Sequence, residues 1–121
     1  MAIRKVLVVD DSATDLKKLE QILSAAGYQV ITATSGRDAV AKAKSEHPDA
    51  VMMDVLMDDM NGFQACRALT GDPETKNIPV VLVSSKGQKT DKVWGNEQGA
   101  RAYVTKPYTS EQILSELKAL A

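Results

Sequence analysis

The sequence predicts an α/β domain: a doubly wound, five-stranded parallel sheet of order 2-1-3-4-5 with five helices. Three observations point there. Apolar runs alternate with helix-period stretches from one end of the chain to the other. Three of those runs are almost unbroken in Val, Leu and Met, the composition of strands covered on both faces. Two more are mixed in polarity and suit the sheet edges. The strand order is adopted from the doubly wound class rather than derived from the residues.

The elements follow in chain order. The first strand is Val6-Leu7-Val8-Val9. A helix opens at Ser12, where Asp15 three residues on resembles a capping box, and carries the stripe Leu16, Leu19, Leu23 and Ala26 up to Gly27 as its C-cap. Gln29-Val30-Ile31-Thr32-Ala33 is the first edge strand. Ser35 with Asp38 starts the second helix, and His47-Pro48 ends it, the histidine complementing the helix dipole and the proline enforcing the stop. Val51-Met52-Met53 is a central strand; Phe63 and Cys66, three apart on the next helix, have the spacing of core packing. Val80-Val81-Leu82-Val83 is the last central strand. The fourth helix is weak, with Gly95 and a thin apolar stripe, and Trp94 on it is read as a partly buried packing residue ahead of a partner-facing anchor. Arg101-Ala102-Tyr103-Val104-Thr105 is the other edge strand. Thr109 with Gln112 opens the final helix, striped by Ile113, Leu114, Leu117 and Leu120.

Composition narrows the function classes. The 121 residues, 44% hydrophobic and 26% charged, are read as a single domain spanning 1–121 with no output domain. No apolar run approaches the roughly 18 residues of a membrane span, so no membrane insertion is expected. Fifteen basic and sixteen acidic residues leave a net charge of −1, which disfavours nucleic acid as a partner. With no secretory pattern and a single cysteine, the chain is expected in the reducing cytoplasm.

Polar residues then follow the apolar strands in a telling way. Asp10-Asp11 follows the first strand, Asp54 the third, Ser84-Ser85 the fourth and Lys106-Pro107 the fifth. A parallel sheet puts all of these at its C-terminal edge, and the order 2-1-3-4-5 puts the ligand crevice between strands 1 and 3. Taken singly, each aspartate is most simply a turn or capping residue. Together, three carboxylates repel unless a proton or cation neutralises them. Oxygen ligands alone point to a hard ion, with Mg2+ the default. A metal-held carboxylate is a nucleophile for phosphoryl transfer, with Lys106 and Ser84 placed to stabilise the transferring group.

These residues resemble the receiver domain of bacterial response regulators, whose fold is flavodoxin-like. Val8-Val9-Asp10-Asp11-Ser12, Met53-Asp54, Met60-Asn61-Gly62, Val83-Ser84-Ser85 and Tyr103-Val104-Thr105-Lys106-Pro107 stand in that family's order and spacing. The resemblance implies that Asp54 is the phosphoacceptor for a sensor histidine kinase. It implies that Asp11, Asp54 and the main-chain carbonyl of Leu56 ligate magnesium, with Asp10 assisting. Lys106 contacts the phosphoryl group, Ser84 is the switch hydroxyl, Tyr103 the switch aromatic, and the Lys106–Pro107 bond is cis. A downstream protein is expected on the face formed by the fourth helix, fifth strand and fifth helix.

The resemblance extends to stand-alone, PilH-type regulators of chemotaxis-like twitching-motility systems through Gly62-Phe63-Gln64, Lys89-Thr90-Asp91-Lys92-Val93-Trp94-Gly95 and Gly99-Ala100-Arg101. It further implies that Leu56 and Lys86 flank the water that hydrolyses the aspartyl phosphate, which makes that phosphate long-lived. One departure stands out: Asp58 replaces the proline usual after Met57, which loosens the loop and adds a possible base. Self-phosphorylation and slow dephosphorylation aside, no enzyme activity is expected. Two rival readings stand beside it. A flavodoxin-like electron carrier needs neutral donors where Asp10 and Asp11 would repel its cofactor phosphate. A pseudo-receiver, acting as an interaction module or phosphate sink, usually lacks an acidic or lysine position, and none is missing here.

Overall fold

The computed structural model describes residues 2–57 and 59–120; Asp58, a candidate modulator of phosphate lifetime, lies outside them. Five strands alternate with five helices: β1 (Lys5–Val9), α1 (Ala13–Ala25), β2 (Gln29–Ala33), α2 (Gly36–Glu46), β3 (Ala50–Asp54), α3 (Gly62–Thr70), β4 (Val80–Ser84), α4 (Lys89–Glu97), β5 (Ala102–Thr105) and α5 (Ser110–Leu120). The sheet is parallel throughout, in the order β2-β1-β3-β4-β5, as the sequence predicts.

Strand alternation divides the core in two. Leu7, Val9, Val51, Met53 and Leu82 face one layer with Ala39 and Ala43 of α2 and Phe63, Cys66 and Leu69 of α3. Val6, Val8, Met52, Val81 and Val83 face the other, against Leu19 and Leu23 of α1 and Ile113 and Leu117 of α5. Both faces of the central strands are therefore covered, which is why they read as unbroken apolar runs. Each such Leu or Val removed from water contributes about 1.5–3 kcal/mol. β2 and β5 keep mostly half-buried residues, as edges do.

Several local expectations need correction. Ser12 accepts from the Asp15 N–H at 3.4 Å and Ser35 from the Asp38 N–H at 3.1 Å, but neither aspartate closes a capping box. Both side chains bond elsewhere, Asp15 to Lys106 and Asp38 to Lys42, and the Ser12 N–H that a box would use already donates to Asp10 Oδ1. Thr109–Gln112 forms the full box, as does Asn61–Gln64 at the start of α3, and at the start of α4 Asp91 accepts the Gln88 N–H. Ala26 is exposed and lies past the stripe, because the helix stops at Ala25. Gly27, at φ 95°, then takes the left-handed position, and its N–H and that of Tyr28 return to Ser24 and Leu23. His47 ends α2 as expected, itself left-handed at φ 47°.

Candidate functional site

β1 delivers Asp10 to the edge of the sheet, where it is 5% exposed and both its oxygens are used. Oδ1 accepts the Ser12 N–H at 2.9 Å, and Oδ2 accepts Lys106 Nζ at 2.9 Å. Next door, β3 ends at Asp54, 7% exposed, whose Oδ1 accepts the Val55 N–H at 2.9 Å. Asp11 is exposed, at the mouth. Single carboxylate oxygens of Asp10, Asp11 and Asp54 lie within 4.8 Å of one another. β5 brings in Lys106 from the far side, ahead of a cis Lys106–Pro107 bond. Its ammonium reaches Asp54 Oδ2 at 3.8 Å.

Electrostatics record the crowding. Burial first, then the charge of Asp10, push the Asp54 carboxyl up to about 6, against the opposing pull of Lys106 and of backbone N–H groups. Burial opposes the charge on Lys106, but the bonds to Asp10 and Asp15 and the field of Asp54 outweigh it and hold the ammonium well above its ordinary value. The donor set is all oxygen, clustered within reach of one small ion and under-neutralised by a single ammonium. A hard divalent cation fits it. Chemically, such a site can hold an anionic group on Asp54 between a cation and Lys106.

The remaining candidates take different places. Ser84, fully buried at the end of β4, accepts the Lys86 N–H on its Oγ at 3.2 Å. Tyr103 on β5 donates its hydroxyl to the Lys86 carbonyl. The Lys86 side chain is not gathered into the centre: its ammonium lies 3.7 Å from Asp91 of α4. Leu56 is 51% exposed rather than folded over Asp54. Trp94 is half exposed, with its ring edge-on to Phe63 at 6.3 Å between centroids. Cys66 is buried, its thiol pushed up to about 12 by burial and donating to the Gln98 carbonyl at 3.4 Å, which suits the core packing its spacing predicts.

Asp15 was missed as a site residue. Its carboxylate binds Lys106 Nζ at 2.9 Å, as close as Asp10 does. The available signal is its place in the first turn of α1, one turn after the acidic pair Asp10-Asp11.

Residues 6–118 match the response regulator receiver domain family. The protein PilH of Pseudomonas aeruginosa is 51% identical over 116 residues, which span 96% of each chain. Chemotaxis response regulator CheY4 of Vibrio cholerae superposes with a TM-score of 0.91 at 32% identity, over 99% of this chain and 100% of that one. A CheX–CheY complex from Borrelia burgdorferi, solved with BeF3 and Mg2+, gives a TM-score of 0.91 at 29% identity, over 97% of this chain and 88% of its counterpart. With the family match spanning residues 6–118 and a relative 51% identical along nearly its whole length, the chain belongs to the response regulator receiver domains.

Proposed function

We propose that this protein is a cytoplasmic, stand-alone phosphoacceptor response regulator, taking a phosphoryl group on Asp54 from a sensor histidine kinase in a chemotaxis-like phosphorelay of type IV pilus twitching motility. The observation that carries this reading is the convergence of Asp10, Asp11, Asp54 and Lys106 at one sheet edge. The match along nearly all of PilH supports the stand-alone form and the pathway.

Asp10, Asp11 and Asp54, with the Leu56 carbonyl, would hold magnesium, which when bound supplies positive charge beside the transferring phosphoryl oxygens. The chain's own residues do the rest. An ionised Asp54 oxygen forms the new O–P bond while the P–N bond of the kinase phosphohistidine breaks, and the imidazole nitrogen keeps the electron pair. Asp54 titrates near 6, so its nucleophilic form prevails at neutral pH. Lys106 draws in a phosphoryl oxygen, and the Ser84 hydroxyl turns to donate to another. Leu56 offers no donor or acceptor to align a hydrolytic water, and Lys86 is turned towards Asp91, so the aspartyl phosphate is long-lived. Asp58 is the residue of the loop able to shorten that lifetime as a base.

Output passes to a downstream protein on the face of α4, β5 and α5, where Val93 and Trp94 are each 50% exposed. The CheX–CheY complex supports a protein as the partner class. No helix among the described residues is long and apolar enough to cross a membrane. The test is intact-mass measurement after acetyl phosphate and magnesium. Wild type should gain one phosphoryl group, and Asp54→Asn none. An unlabelled wild type would favour a pseudo-receiver; equal labelling of both proteins would place the acceptor elsewhere.

A further inference from the structure

We infer that Asp15 is a positioning residue that competes with Asp54 for the Lys106 ammonium and thereby slows phosphorylation; the inference rests on the phosphoacceptor reading of Asp54. An ammonium has three N–H donors and no acceptor. Two of those on Lys106 are spent at 2.9 Å on Asp10 and Asp15, while Asp54 Oδ2 lies at 3.8 Å. The two holders differ. Asp10 is 5% exposed and fixed at its other oxygen by the Ser12 N–H, so it keeps its hold on Lys106. The Asp15 side chain is 44% exposed, and Lys106 is its only ion-pair partner among the described residues.

Helix α1 does not depend on the Asp15 carboxylate. The cap uses the Asp15 main-chain N–H, which donates to Ser12 Oγ. What the carboxylate does is draw the ammonium outward, away from Asp54. An incoming phosphoryl group recruits Lys106 through its own oxygens, and breaking the Lys106–Asp15 pair adds to the barrier. Without Asp15, Lys106 stays anchored to Asp10 and is free to turn to Asp54.

The Asp15 side chain is 44% exposed against 19% for Lys106, so solvent reaches the pair from the Asp15 side, its worth is close to that of a surface ion pair, and the rate effect is about two- to fivefold. The experiment compares initial rates of labelling by acetyl phosphate with magnesium in wild type, Asp15→Asn, Asp15→Glu and Glu20→Gln. Circular dichroism confirms that each variant is folded. Asp15→Asn should be faster by that factor and should bind beryllofluoride correspondingly more tightly. Asp15→Glu keeps the carboxylate and should stay at the wild-type rate. Glu20→Gln removes the same charge from the same helix and should leave the rate unchanged. An Asp15→Asn rate equal to or below wild type overturns the inference, as does equal acceleration in Asp15→Glu or in Glu20→Gln. Absence of label on wild-type Asp54 would instead overturn the phosphoacceptor reading itself.

Discussion

Asp54 carries a conflict between function and stability. Its carboxyl is held near 6, against 3.8 for an ordinary aspartate. Between those values the folded protein binds more protons than the unfolded chain, so stability falls as pH rises through this window and stays lower above it. The penalty at neutral pH is on the order of 3 kcal/mol at most. Asn at this position removes the charge and keeps an oxygen for the Val55 N–H. In chelator-containing buffer, Asp54→Asn should therefore be more stable than wild type by about 1–3 kcal/mol near neutral pH, with the gap closing towards pH ~4. Denaturant unfolding at several pH values reads this directly, and a gap that does not change with pH would contradict the assignment of cause. Residues of this kind were legible in the sequence because a parallel sheet delivers every strand end to one edge. Asp15 was not, because it sits in the first turn of α1 rather than at a strand end, and the strand-end argument that gathers Asp10, Asp54 and Lys106 does not reach it.

At the scale of elements, the strand carrying Asp54 is held in place by what packs on its end. Gly62, the first residue of α3, donates its N–H to the Val55 carbonyl at 2.9 Å. A Cβ on Gly62 would lie 2.3 Å from the Asp54 carbonyl oxygen and 2.8 Å from Val55 Cα. Both are backbone atoms that cannot step aside as a flexible side chain would. Gly62→Ala should cost about 1–3 kcal/mol, read as a lowered denaturant midpoint, and should slow labelling of Asp54 by shifting its strand end. Unchanged stability would mean that α3 is free to slide. The loop between β3 and α3 shows where sequence reasoning reached its limit. Replacing the usual proline by Asp58 predicts a looser loop. The structure pins the loop's far end: the Gly36 N–H donates to Asp59 at 3.4 Å, and Gly36 lies so close to the Met60 carbonyl that a Cβ would clash. Such a tertiary tether between α2 and the loop has no signature in local composition. The central strands were plain to read because burial on both faces leaves no polar positions, whereas α4, with its thin stripe, left the exposure of Trp94 undecided until Phe63 was placed beside it.

For the molecule as a whole, the question is how a group bound at Asp54 is felt on the opposite side of β5. The backbone of Lys86 provides the link. Its N–H donates to Ser84 Oγ at 3.2 Å, and its carbonyl accepts the Tyr103 hydroxyl. The loop between β4 and α4 is thus held at both ends of one residue, by the Ser84 hydroxyl and by the Tyr103 hydroxyl. On the proposed reading, a phosphoryl group or beryllofluoride on Asp54 should recruit the Ser84 hydroxyl, take the acceptor from the Lys86 N–H and so release the loop. Tyr103 should then lose its carbonyl partner and be free to change rotamer, and α4 should feel it directly, because the Tyr103 ring packs so closely on Gly95 that a Cβ there would come within 3.1 Å of it. Two populations a few kcal/mol apart suffice, because the ligand shifts them only by its differential affinity. Beryllofluoride with magnesium should therefore shift amide resonances throughout residues 84–108, across the face that carries Trp94. Tyr103→Phe separates the links: it keeps the ring and removes the hydroxyl, so the loop is no longer tied to β5 before the ligand arrives. In that variant the shifts at residues 84–88 should persist, while those in α4 and β5 shrink. Shifts of wild-type size in α4 and β5 of Tyr103→Phe would show that the signal leaves Asp54 by another route.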